Sequence, residues 1–126
     1  MSENEMPKVV LNPAFRVHTA LGPGLLKSVY EAVLTHELRK KGLEVETQAP
    51  IPVVYDGVRL AIGFRLDVLV ENKVMVELKS CENLIPIHSR QLLNYLRLAN
   101  LRPGLLFNFN VEFLKGNIIC LAHNLR

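Results

Sequence analysis

FRLDVLVENKVMVELKS (residues 64–80) carries most of two β-rich runs, Gly63–Val70 and Lys73–Ser80, with a short polar link at Glu71 and Asn72 between them. Two such runs so close together predict an antiparallel hairpin. Side chains alternate along a strand, so Glu77 and Lys79 share one face with Met75, while Val74, Val76 and Leu78 take the other. On the neighbouring strand Arg65, Asp67 and Leu69 lie together, opposite Phe64, Leu66, Val68 and Val70. The register of the hairpin then decides what the charges do. An odd number of loop residues between Val70 and Val74 sets Asp67 directly across from Glu77, with Cβ atoms roughly 4.5–5.5 Å apart. An even number turns Asp67 away.

Two carboxylates that close repel unless a cation neutralises them, and a hard divalent ion such as Mg²⁺, with its preference for oxygen ligands, does so. The backbone carbonyl of Leu78 offers a further oxygen. Lys79, one strand period beyond Glu77, stands where an ammonium orients an attacking water and opposes charge developing on phosphate oxygens. On spacing alone, D-x9-E-x-K equally describes a surface salt-bridge cluster. The location argues for chemistry. One face of Val74–Leu78 is apolar, and its other face carries charge in a sheet whose two sides are expected to be covered by helices.

Working outward, Asn12 reads as a helix N-cap with Pro13 at the first helical position, the helix running through Phe15, Val17 and Leu21 to the Gly22-Pro23-Gly24 break. A second helix follows, with Leu25, Leu26, Val29, Tyr30, Val33, Leu34 and Leu38 at three- and four-residue intervals and Gly42 as its stop. The period then becomes extended: Leu43–Gln48, Ile51–Tyr55, an Asp56-Gly57 turn and Val58–Leu60. After Ser80, Pro86 opens a helix to about Ala99, and strands Gly104–Phe109 and about Gly116–Leu121 close the domain. The order describes a single α/β (α+β) domain over residues 12–126, preceded by a flexible segment 1–11. The late strands, with Phe107, Phe109, Ile118, Ile119 and Leu121, form a candidate sheet edge for pairing with a second copy as a homodimer.

A chain of 126 residues supports one core and one site, and 49% apolar with 21% charged residues excludes a disordered or fibrous protein. The net charge of +3 leans modestly towards anionic partners, nucleic acid among them. MSENEMPKVV lacks the features of a signal peptide and no apolar run is long enough to span a membrane, so a cytoplasmic protein is expected. Cys81 and Cys120 have no C-x-x-C spacing and read as free thiols. His18, His36, His88 and His123 lack zinc-ligand spacing.

Three stretches together resemble the small GxxExxY proteins of the PD-(D/E)XK nuclease superfamily: RVHTALGPGLLKSVYEAVLTHELRKKGL, FRLDVLVENKVMVELKS and HSRQLLNYLRLANLRPGLLFNF. The resemblance spans roughly Ala14–Leu121 and implies a restriction-endonuclease-like mixed sheet flanked by helices. It makes Asp67 and Glu77 the metal-binding acids and Lys79 the catalytic lysine, with Leu66 where a proline often stands. The Gln91-x-x-x-Tyr95 spacing is similar to that of the superfamily's exonuclease branch, and His88, Gln91 and Tyr95 lie on one helical face as supporting candidates.

One departure bears on the metal. The family pattern expects a glutamate where this chain has Lys27, in G-L-L-K-S-V-Y. The lysine removes an acid and repels any ion close by, which limits the expected cofactor to one ion, Mg²⁺ or Mn²⁺, at most. Glu31, one turn on, either substitutes as a ligand or pairs with Lys27, and the pair fits the spacing better. Two functions follow: a metal-dependent nuclease acting on DNA or RNA, or a catalytically impaired nuclease-fold module that binds nucleic acid or a protein partner.

Overall fold

Three residues, Glu71–Lys73, link the central hairpin, and Val70 pairs with Val74, Leu69 with Met75 and Val68 with Val76. The link is odd, the case that sets Asp67 against Glu77. Glu71 and Asn72 both adopt left-handed φ, which lets so short a link reverse the chain.

The computed structural model describes residues 5–123. Helices α1 (Lys8–Leu21) and α2 (Lys27–Lys40) come first. Strands β1 (Val45–Tyr55), β2 (Val58–Val70) and β3 (Val74–Lys79) follow, then helix α3 (Pro86–Ala99) and strands β4 (Pro103–Asn108) and β5 (Ile118–Ala122). The five strands form one sheet in the order β1-β2-β3-β4-β5. All neighbours are antiparallel except β3 and β4, which run parallel because α3 carries the chain back between them.

The first helix begins at Lys8 rather than at Pro13, inside the segment expected to precede the domain. Pro7 takes the N-cap position, and Pro13 is carried in the second turn. The earlier start lets Val10, Ala14 and Val17 form one buried stripe, which Met6 extends. The extended segments on either side of the Asp56-Gly57 turn are likewise not four pieces but two long strands. Asp56 and Gly57 both have positive φ, as a two-residue type I′ hairpin requires, and Tyr55 pairs with Val58 across them.

The middle of the sheet is covered on both faces. Val74, Val76 and Leu78 of β3 pack with Leu105 and Phe107 against α1 and α2 through Ala14, Val17, Tyr30, Leu34 and Leu38. Met75 and Leu106 pack on the other side against Leu92 and Leu96 of α3. Phe107 and Phe109 are fully buried, so they belong to the interior; the outer strand is β5, where Cys120 is exposed and Ile118, Ile119 and Leu121 are half-buried. Among the described residues, no helix is long and apolar enough to cross a membrane.

Strand β2 does not keep the simple alternation expected of it. Val68 and Val70 join the α1/α2 cluster, whereas Leu66 and Phe64 join the α3 cluster together with Leu69. The face changes at Asp67, where the β2–β3 ladder ends, and opposite it on β1 Gln48 has a φ of 51°. A left-handed residue rotates the peptides on either side of it, so Ala49, Ile51, Phe64 and Leu66 just beyond the break turn towards α3, while Val54, Tyr55, Val58 and Ile62 further out stay exposed.

Candidate active site

Where the ladder ends, β2 and β3 are joined by side chains instead of backbone. Glu77 Oε1 accepts the Asp67 N–H at 3.0 Å, and Asp67 Oδ2 accepts the Leu78 N–H at 2.9 Å. Each acid thereby satisfies a backbone donor that the broken ladder would orphan, and is itself locked in place. Asp67 is 3% exposed and Glu77 5%. Burial pushes the Glu77 carboxyl up to about 8, and the neighbouring Asp67 carboxylate adds to the push. The proton that the pair retains reflects two acids held together away from water.

Lys27, the first residue of α2, reaches this pair from the α1/α2 side, with Nζ 2.8 Å from Asp67 Oδ1. Burial of its ammonium works against the charge. The hydrogen bond to Asp67 and the negative charges of Asp67, Glu77 and Glu31 outweigh it, so the Lys27 pKa is raised. Glu31 does not take Lys27 as its ion-pair partner, contrary to the spacing argument. Its two oxygens instead accept Gln48 Nε2 at 3.0 and 3.2 Å, and the same amide stands 3.4 Å from Asp67 Oδ1. The left-handed backbone at Gln48 is what brings that side chain between the two acids.

Lys79 lies on the other side. It is half-buried and donates to Gln91 Oε1 at 3.2 Å; Gln91 Nε2 donates to the Tyr95 hydroxyl at 3.1 Å, and the Tyr95 ring stacks on Phe64 at 4.3 Å. Gln91 and Tyr95 therefore join the lysine in one hydrogen-bonded row. His88 does not. Its Nδ1 accepts the Ile85 N–H at 3.1 Å, so it caps the first turn of α3. Arg90 and Arg97 are exposed on the same helix.

Several positioning residues escaped the sequence reading. Asn108, fully buried, accepts the Cys81 N–H and donates to the Cys81 carbonyl, clamping the chain just beyond Lys79. A lone asparagine between Phe107 and Phe109 was its only signal. Tyr30 donates to the Gly22 carbonyl at 2.6 Å and accepts the Leu25 N–H, Ser80 holds the Leu25 carbonyl and Asn110 the Gly24 N–H. These four bonds fix the turn from which Lys27 starts.

The strand pair thus carries two buried acids, followed on the second strand by a half-buried lysine. The model of the PD-(D/E)XK nuclease superfamily matches residues 4–119. The chain belongs to the PD-(D/E)XK nuclease superfamily. Its five-strand mixed sheet with three helices is consistent with that fold, and the match is consistent with the narrower GxxExxY resemblance. No curated protein and no solved structure gives a significant match.

Nucleases of the superfamily generally use divalent metal ions. The donor chemistry here suits one: Asp67 and Glu77 supply hard carboxylate oxygens side by side. Among the described residues, no group of three His, Cys, Asp or Glu side chains is placed to hold a metal. Asp67 Oδ1, the oxygen free of backbone bonds, is held by Lys27. The Lys27 side chain is 44% exposed. The donor type therefore suits a divalent ion, while one of the pair's oxygens is engaged by an ammonium.

Proposed function

We propose that the protein is a Mg²⁺- or Mn²⁺-dependent nuclease that hydrolyses phosphodiester bonds in DNA or RNA, with Asp67, Glu77 and Lys79 as the residues that carry the reaction. The observation behind this reading is the Asp67–Glu77 pair, buried, mutually locked through backbone N–H groups, and followed two residues on by Lys79. In it Asp67 and Glu77 would hold one divalent cation, with the Leu78 carbonyl as a third oxygen. When bound, that cation supplies Lewis-acid polarisation of a phosphate oxygen.

The remaining work falls to the chain's own groups. Lys79 presents its ammonium to the phosphate and opposes negative charge that grows as the bond breaks. Gln91, a neutral acceptor, aims that ammonium without neutralising it, and Tyr95 fixes Gln91 in turn. Because the Asp67 and Glu77 carboxylates are already bound to backbone donors, they need little reorganisation during the reaction.

The Lys27–Asp67 ion pair supports a second reading, a module that keeps the nuclease fold and binds nucleic acid without cutting it. The two part on one experiment. Single- and double-stranded DNA and RNA are incubated with the protein in Mg²⁺, Mn²⁺ or EDTA, beside Glu77→Gln and Lys79→Ala. The nuclease reading expects metal-dependent cleavage that falls by about 100-fold or more in both variants. Wild-type protein that cuts nothing under any metal, yet retards a labelled oligonucleotide, establishes the binding module instead.

A further inference from the structure

The N-terminus of a helix is a poor place for a cation, because its unpaired N–H groups form the positive end of the helix dipole. Lys27 is nevertheless the first residue of α2, and no acidic residue stands in that first turn to offset it. What offsets it lies across the fold. Its ammonium is 2.8 Å from Asp67 Oδ1, and Asp67, Glu77 and Glu31 all act on it. The turn that delivers it is tied down by Tyr30, Ser80 and Asn110, so the approach is built into the structure.

We propose that Lys27 is a tethered counter-ion that occupies the cation position beside Asp67, so that a divalent ion gains Asp67 Oδ1 only by displacing it into solvent. The inference rests on the proposed function in one respect, that Asp67 and Glu77 are the carboxylates a divalent ion would use. An ammonium 2.8 Å from Asp67 Oδ1 takes up one approach to that oxygen and repels a dication arriving there, so the two compete for it. Displacement has a route. The Lys27 side chain is 44% exposed, against 5% for Asp67, and its four-carbon stem can swing outward from the end of the helix. Metal affinity is therefore set by competition within the chain as well as by the ligands.

The test is a Mn²⁺ titration by calorimetry, with thermal melting in EDTA and in Mn²⁺, on the full chain. Lys27→Gln and Lys27→Met remove the charge while keeping much of the stem, and Lys27→Arg keeps the charge. Both neutral variants are expected to bind one Mn²⁺ at least about tenfold more tightly than wild type. The arginine variant is expected to stay close to wild type. Adding Asp67→Asn to Lys27→Gln should abolish the gain. The neutral variants should melt below wild type in EDTA and recover more than wild type does when Mn²⁺ is added.

Equal Mn²⁺ affinity in wild type and both neutral variants overturns the proposal and leaves the metal-dependent reading intact. No Mn²⁺ binding by any variant overturns both. Tightened binding in the neutral variants without cleavage by any of them removes the nuclease reading and leaves the role of Lys27 standing.

Discussion

Lys27 and Lys79 stand on opposite sides of one carboxylate pair, and their partners differ. Lys27 comes from α2 and has a carboxylate at 2.8 Å; Lys79 comes from β3 and has a neutral amide at 3.2 Å. An ammonium with a carboxylate partner has its charge cancelled, and removing it exposes a buried negative charge. One held by a glutamine is positioned with its charge intact and open to an anion. The two lysines are therefore in different electrostatic states: Lys27 balances the charge of Asp67, and Lys79 keeps its charge beside a neutral amide.

The carboxylate pair itself is tested most strongly by pH. The Glu77 carboxyl, raised from 4.5 to about 8, retains its proton in the folded state where the unfolded chain has lost it. The folded state binds more protons between those values, so this contribution to stability is complete below about pH 4.5 and is lost as pH rises to about 8. The slope has a ceiling of about 1.4 kcal/mol per pH unit. Glu77→Gln keeps an oxygen for the Asp67 N–H and removes the titration, so urea unfolding in EDTA from pH 5 to 8 should show wild type declining relative to the variant. Parallel curves would mean that the acids are not held together as described.

On the Lys79 side the effect is smaller and kinetic. Gln91→Leu removes the group that aims the lysine and leaves a half-buried site apolar. Cleavage is expected to fall roughly tenfold, with stability changed by less than about 1 kcal/mol. A large loss of stability with unchanged turnover per folded molecule would make Gln91 a packing residue.

The smallest effect belongs to neither lysine. His88→Ala should lower stability by about 0.5–1 kcal/mol through loss of the α3 cap, seen as a small drop in melting temperature, without altering cleavage by the folded protein. A drop in turnover at constant stability would return His88 to the site.

Much of the central hairpin was legible because its logic is local. Alternation put Glu77 and Lys79 on one face, and the Q-x-x-x-Y spacing put Gln91 and Tyr95 on one face of α3, where the structure joins them by a hydrogen bond. His88 has the same helical phase, but its position in the first turn gave it a competing partner, the Ile85 N–H, that periodicity does not weigh. The start of α1 was misplaced because Pro7 and Pro13 carry the same cue, and only the burial of Val10 and Met6 chooses between them.

By itself the sequence determined that a hairpin would form around Glu71 and Asn72, that Asp67 would face Glu77 if an odd number of residues separated Val70 from Val74, and that Lys79 would follow on the same face. Tertiary structure decided the parity of the link, the change of face in β2 at Asp67, the left-handed turn of Gln48 and the pairing of Lys27 with Asp67 rather than Glu31. The reason is physical. The first set rests on strand alternation within one short segment, whereas the second depends on how far α2 is pressed towards the sheet and where the β2–β3 ladder ends, and both are set by packing between segments distant in the chain.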